Sequence, residues 1–339
     1  MSIKEQFKEF IATNKPLALS EASGITGSGT GTGGRLDIGP AYAAIRLANP
    51  LRAYARVMDN NGSDAGFVMK SGNALTGAAN PWGYPVQSNV GTPNIVTNYW
   101  TLPIRNLSAQ IPVRTAVLND VTDLQVGALY FDLRMELEQL AAQSMVSNND
   151  QAGTTPLTGA TSGLRGLNFY TDGATAAYGS SGPASTAGIH TVVTISQAAA
   201  AIAYNDITAL TNALPPQYWS DPSTAFMVHP SSIQNLRQLK DSNNLPLFLE
   251  VGDDDGAAVG YIFGFPVVPN SYIDAPGVAG RYVIYLGAWD KALHIHDHTS
   301  GMILTGYEQT QPGFINIYGQ CRLASSVVDP FAVVRLKSV

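Results

Sequence analysis

One run of about 26 residues, ending at residue 146, constrains this chain more than any other feature of its sequence. Asn119 or Asp120 can cap its start, and Asp123 places a carboxylate in the first turn, where the helix dipole is positive. Val121, Leu124, Ala128, Phe131 and Met135 form one apolar stripe at helical spacing. Leu129, Leu133, Leu137 and Leu140 form a second. At about 1.5 Å per residue, the run makes a rod about 39 Å long. Apolar on two sides, it must be covered on two sides. It stops at the polar sequence Ser147-Asn148-Asn149-Asp150.

The rod lies between two stretches of different character. Upstream, residues 52–58, 66–69, 99–104 and 107–113 read as extended pieces. They are separated by turn residues: Asn60-Asn61-Gly62, Gly77, Asn80-Pro81, Gly83, Pro85 and Gly91-Thr92-Pro93. Residues 70–98 offer few apolar side chains to pack, which predicts a projecting hairpin that finds its partner elsewhere. Residues 3–12 put Ile3, Phe7, Phe10 and Ile11 on one helical face. The Gly/Ser/Thr tract 23–34 buries almost nothing, so the opening segment reads as an arm tethered by a linker.

Downstream, residues 151–188 are again rich in Gly, Ser, Thr and Ala and mark a boundary. Residues 196–214 read as a helix stopped by Pro215-Pro216. Residues 225–228 form a short strand, and Pro230 opens a short helix carrying Ile233, Leu236 and Leu239. Strands follow at 265–268, 282–286, 292–295, 303–305, 314–323 and 331–336. Helices mixed irregularly with mainly antiparallel strands give an α+β class. There is no internal repeat.

Charge adds a second constraint. Of 339 residues, 19 are Lys or Arg and 25 are Asp or Glu, a formal net charge of -6. Charged residues make up 13%, against about 25% in an average soluble domain. So little surface charge on a chain that is 45% hydrophobic suggests a surface covered by neighbours. The acidity argues against tight nucleic-acid binding, which draws on a Lys/Arg excess. No stretch approaches the roughly 18 continuous apolar residues of a membrane span. Residues 1–6 lack the apolar core of a secretion signal. Cys321, the single cysteine, excludes an intrachain disulfide framework and a Cys-clustered zinc site, and suits a reducing compartment.

Candidate chemistry is sparse. In a strand, His294, His296 and His298 project to one face, and imidazoles suit zinc, copper or nickel. No further metal-enzyme motif accompanies them, so an exposed polar strand end is the expected reading. Gly252-Asp253-Asp254-Asp255-Gly256 lacks the ligand spacing of a calcium loop and reads as a solvated acidic loop. The tract 27–34 lacks Gly-Lys-Ser/Thr and is a linker, not a phosphate loop. Gly-x-Ser-x-Gly is absent. Cys321, alternating with Ile317 and Leu323, reads as a small packed residue and not a nucleophile. Trp82, Tyr84, Tyr99 and Trp100 suggest a base-stacking platform, but without interleaved Lys or Arg they favour protein contact. No catalytic, cofactor-binding or metal residue is expected.

An ordered series in the carboxy-terminal half carries a resemblance. Phe226-Met227-Val228-His229-Pro230 precedes the helix of residues 231–240 and then Asp241-Ser242-Asn243-Asn244-Leu245-Pro246-Leu247-Phe248. Ile262-Phe263-Gly264-Phe265-Pro266-Val267-Val268, Leu286-Gly287-Ala288-Trp289 and Asp329-Pro330-Phe331-Ala332-Val333-Val334-Arg335-Leu336-Lys337 follow. In order and spacing, across about a third of the chain, these resemble the major capsid proteins of tailed bacteriophages, with the Hong Kong 97 fold.

The resemblance implies an amino-terminal arm (residues 1–50), an extended loop (51–106), a peripheral domain with a spine helix (107–165 plus 301–339) and an axial domain (166–300). It implies a structural virion protein, not an enzyme, that assembles in the host cytoplasm into pentamers and hexamers of an icosahedral shell. Such a shell encloses double-stranded DNA without sequence-specific binding, with Arg35, Arg46 and Arg52 as candidates to line the interior. Scaffold, portal and decoration proteins are the expected partners, the scaffold as a separate protein because only about 40 residues precede the body where some relatives carry a long, cleaved scaffolding domain. Some relatives cross-link an extended-loop Lys to a neighbour's Asn. Lys70 and Asn316 occupy comparable elements but without the local motif, so Lys70 is expected to be a plain surface lysine. An encapsulin-like compartment on the same fold is the alternative. A metal-dependent enzyme built on His294, His296 and His298 is a remote third.

Overall fold

The computed structural model describes residues 49–71, 96–114, 123–147, 164–173, 188–199, 201–240, 245–250, 258–301, 303–307 and 314–339. The arm helix at 3–12, the tract at 23–34, the caps at Asn119 and Asp120, Arg35, Arg46, Trp82, Tyr84 and the loop 252–256 lie outside them.

In chain order the elements begin with α1 (Pro50–Tyr54), β1 (Arg56–Asn60), β2 (Asp64–Ser71), β3 (Val96–Pro103), β4 (Arg105–Arg114) and the long helix α2 (Asp123–Val146). Next come β5 (Thr171–Gly173), β6 (Thr191–Ser196), α3 (Tyr204–Ala213), β7 (Thr224–Val228), α4 (Pro230–Arg237), β8 (Leu249–Glu250), β9 (Gly260–Ile262) and β10 (Phe265–Pro269). The last are β11 (Tyr282–Ala288), α5 (Trp289–Ala292), β12 (Leu293–His298), β13 (Ile303–Tyr307), β14 (Phe314–Val327) and β15 (Val333–Lys337).

The strands form three sheets. The largest runs β5-β6-β15-β11-β7-β10-β9-β8, with parallel pairs at β5/β6, β6/β15 and β7/β10 and antiparallel pairs elsewhere. The second runs β1-β12-β14-β13, with β4 along the other edge of β14. The third is the hairpin β2/β3, in register from Asp64 opposite Pro103 to Ser71 opposite Val96. The mixed helix and sheet content is α+β. The carboxy-terminal strands divide between sheets: β13 and β14 join the second, whereas β15 sits inside the first.

Burial explains the strand sequences. All five residues of β7 are buried, so it reads as a continuous apolar run and not an alternation. Its neighbour β11 leads into Trp289, which is fully buried and whose indole N–H donates to the Ala225 carbonyl at 3.0 Å. Over this sheet, α3 lays Ile207 and Leu210 against β6 and β15.

Helix α2 has 24 residues and is about 36 Å long. Leu133, Leu137, Ala141 and Met145, four residues apart, are buried; Met135, from the other stripe, is only half-buried. The helix lies on β4 and β14. There Gly319 allows its approach: a Cβ at that position would stand 2.6 Å from a Leu133 methyl.

Two segments depart from the sequence reading. Residues 52–58 are not extended throughout, because Pro50 opens the short helix α1 and Leu51 is completely buried beneath it. Residues 196–199 and 201–203 are not helical despite their alanines. Gln197 continues the sheet, its N–H donating to the Lys337 carbonyl at 2.8 Å. Asp206 then fixes the helix start, its carboxylate accepting from the Ala203 and Ala198 N–H groups at 2.9 and 3.2 Å. Among the described residues, no helix is long and apolar enough to cross a membrane.

Candidate functional site

Of the residues singled out from the sequence, most of those described fall on two surfaces of β14 and its neighbours. One is the seam beneath the hairpin. Alternation on β2 and β3 sends Ala65, Phe67, Met69, Trp100 and Leu102 inward, and leaves Val68 and Tyr99 exposed on the outer face. Phe67 and Trp100 are cross-strand partners with rings stacked at 5.9 Å. They pack with Ala324 and Val328. The base of the hairpin, residues 64–71 and 96–103, therefore rests on its own subunit; of the stretch 70–98 that the sequence reads as projecting onto a partner, residues 72–95 lie outside the described residues. Trp100 and Tyr99 point to opposite faces, so they do not form one stacking platform.

Within the seam most polar atoms pair with one another. The Trp100 indole N–H donates to Ser326 Oγ at 3.3 Å, and the Tyr170 hydroxyl accepts from the Val327 N–H at 2.7 Å. His190 does not share in this. It is fully buried, edge-on to Trp100 at 4.9 Å and stacked on Tyr170 at 6.1 Å, and neither ring nitrogen has a hydrogen-bond partner. Burial pushes its pKa down to about 4; nearby Arg165 adds to this, and the Val327 backbone offsets part of it without a well-formed hydrogen bond. Gly188 makes the closeness possible. It has φ of +70°, and a Cβ there would stand 2.3 Å from the Trp100 ring.

The histidine strand β12 borders the same seam. His296 is not at an exposed strand end: it is 8% exposed, because the Phe67 ring packs edge-on against it at 4.8 Å. Its Nε2 is unpartnered and burial lowers its pKa. His294 is half-buried, and burial, then Arg56 and His296, hold it near about 4. His298 turns to local work, its Nδ1 accepting from the Ser300 N–H at 3.1 Å. Among the described residues, no three His, Cys, Asp or Glu side chains converge as a metal ion would require. The His229/Ser231 contact at 2.6 Å is likewise local, with the ring nitrogen also accepting from the Ser231 N–H that opens α4.

The second surface is a groove of about 330 Å³ between α2 and the second sheet, lined by Arg134, Glu138, Arg322, Cys321, Asp297 and Arg52 among others. Arg52 is ion-paired with Asp297, and Arg134 with Glu138 at 3.1 Å. Cys321 is half-buried, and burial raises its thiol to about 11, which keeps it protonated and unreactive at neutral pH. Lys70 and Asn316 stand in different sheets, opposite Thr97 and opposite Tyr307 and Pro112 respectively.

These are packing surfaces, without a converging set of acid, base and nucleophile. The phage capsid family matches residues 42–338. The chain belongs to the phage capsid family. As a member it is a capsid shell protein, a structural role whose place is the virion. The fold agrees: the capsid of a native GTA particle, computed with C5 symmetry, superposes with a TM-score of 0.71 at 17% identity, covering 95% of this chain and all of that one. Gordonia phage Cozz follows at TM-score 0.55 and 13% identity, over 88% of this chain and 89% of that one. The SrpI encapsulin of Synechococcus elongatus PCC 7942 reaches 0.56 at 10% identity, over 86% and 88%. Among curated proteins, none matches this capsid chain.

Sequence reasoning missed His190, Tyr170, Ser326 and the glycine that admits Trp100. Only the Phe67-Val68-Met69 and Trp100-Thr101-Leu102 alternation hinted at the seam.

Proposed function

We propose that this capsid protein assembles into the pentamers and hexamers of an icosahedral phage head that encloses double-stranded DNA. The family match across residues 42–338 carries the reading. The likeness to a particle computed with C5 symmetry supports five-membered rings. Contacts between unlike patches close into rings, and a chain with only 13% charged residues suits the apolar interfaces of obligate assemblies. On this reading the arm is 1–50, the extended loop 51–106, the peripheral unit 107–165 plus 301–339 and the axial unit 166–300. The last would carry most of the large sheet, with β15 threaded into it. Scaffold, portal and decoration proteins would be separate partners.

DNA would be held by enclosure, since a subunit charge of -6 gives no general attraction to phosphate. Arg52 is engaged by Asp297, which limits what it can offer a phosphate backbone. Negative-stain microscopy of the expressed chain, alone and with neighbouring structural genes, should reveal closed shells. Persistent monomers under both conditions would overturn the proposal. Tight, steeply salt-dependent DNA binding by free subunits would overturn the enclosure part alone.

The encapsulin likeness supports a second reading, a compartment around a protein cargo. Nuclease-protected DNA inside purified particles favours the phage head; a co-purifying enzyme and no DNA favours the compartment.

A further inference from the structure

We propose that His190 and His296 form an acid-sensitive latch that seats the β2/β3 hairpin on the body of the subunit at neutral pH and releases it when both rings take up a proton. The latch concerns the single chain and stands whichever cargo the shell encloses. Two imidazoles lie under one hairpin, 0% and 8% exposed, each touching an aromatic ring of that hairpin: Trp100 on His190 and Phe67 on His296. Three ring nitrogens, both of His190 and Nε2 of His296, have no hydrogen-bond partner among the protein's groups. A neutral imidazole tolerates an apolar sandwich. An imidazolium there is a buried charge without a counter-ion, and a buried charge is relieved by admitting water.

The surrounding charges do not rescue it. Facing His190 are the Tyr170 hydroxyl, already engaged with the Val327 N–H, the Val327 backbone, which offsets only part of the cost of burying a charge, and Arg165, which repels a cation. Around His296 stand His294, Arg56 on β1 and Asp297, the next residue along β12, whose carboxylate is taken by Arg52. From the described part of the hairpin Ala65, Phe67, Met69, Trp100 and Leu102 face inward, and Asp64 is exposed at its foot. The element that can yield is the hairpin, because it forms a two-stranded sheet of its own and is not laddered into either larger sheet.

The sign follows from linkage. His190 titrates at about 4 when seated and near 6.5 when exposed, so the open hairpin binds more protons between those values. The opening equilibrium should rise by up to about tenfold per pH unit below 6.5, to about 150-fold at pH 4 from His190 alone, with His296 adding to this.

The test is hydrogen exchange on the full-length protein, read on peptides covering 64–71 and 96–103 and corrected for intrinsic rates. Hairpin protection should collapse from pH 6.5 to pH 4 while β7 and β11 stay protected. The His190→Leu/His296→Leu double variant should keep its hairpin protected at pH 4. Unchanged hairpin protection in the native protein, or the same loss in the double variant, overturns the proposal. Should the variant not fold, nitrogen-15 imidazole spectra of the native protein decide instead. Titration of both rings together with loss of protection supports the latch, and titration of either with the hairpin still protected overturns it.

Discussion

Two fully buried cationic or protonatable residues, Arg335 and His190, sit on neighbouring strands β15 and at the entry to β6, and the protein treats them in opposite ways. Arg335 is surrounded by acceptors. It donates to the Leu167 and Tyr170 carbonyls at 2.9 and 2.6 Å, to Thr194 Oγ1 at 2.9 Å and to Asp172 at 2.9 Å, and it lies 4.0 Å from the centre of the Tyr282 ring. His190 receives no hydrogen bond and gives none. A charge with all its partners ties segments together, whereas an imidazole with none is stable in only one protonation state. The large sheet is therefore clamped, and the hairpin seam is conditional.

The sharpest way to break the contrast is Arg335→Met. The change strips partners from two buried carbonyls and from Asp172, and should cost about 3–5 kcal/mol in urea unfolding. A loss below 1 kcal/mol would mean that the clamp carries little weight. Gly188→Ala comes next, because it forces a side chain into a left-handed backbone and against Trp100. About 1–3 kcal/mol should be lost, with hydrogen exchange rising in 64–71 and 96–103 before it rises in the large sheet. Equal loosening of both regions would erase the distinction.

Acid offers a third test. Burial works to raise the pKa of Asp172, but Lys337, Tyr282, Arg335 and Thr194 outweigh it and hold the carboxyl at about 2. Its contribution is thus complete above the ordinary value of 3.8 and is lost as pH falls through about 2. With about a third of the side chain open to solvent, that contribution is about 1–2 kcal/mol. Asp172→Asn should flatten the stability profile between pH 4 and pH 2 and leave the hairpin's response above pH 4 untouched. Glu138→Gln should matter least. Its pair with Arg134 is exposed on one helix face, so unfolding stability should change by less than about 0.5 kcal/mol.

What could be read from the sequence was whatever depends on local pattern. Leu133, Leu137 and the lone long helix, the apolar run of β7, and Pro230 at the start of α4 follow from periodicity and backbone chemistry. Ala198, Ala199 and Ala201 misled because helix propensity is weak beside a sheet bond that continues to Gln197 and a carboxylate that fixes the next helix start. The order of the capsid-like segments revealed the family. Arg335 was illegible as a clamp: in Val333-Val334-Arg335-Leu336-Lys337 it looks like one step of an alternating strand, and its hydrogen-bond partners lie more than 140 residues away. The histidines of β12 were visible, but Phe67, the hairpin residue that covers His296, is more than 220 residues upstream. No local pattern joins them.

The 14-residue strand β14 carries a last consequence. Midway along it Gly319 seats the long helix α2, and near its end Ala324 and Ser326 seat the hairpin. Between them it is stitched along one edge to β4 and along the other to β13 and β12. Pulling on the helix end therefore loads the ladder in shear, across many hydrogen bonds at once, instead of peeling them singly. The strand acts as a tie rod: force on one part of the subunit arrives at the other as tension along a single stiff member.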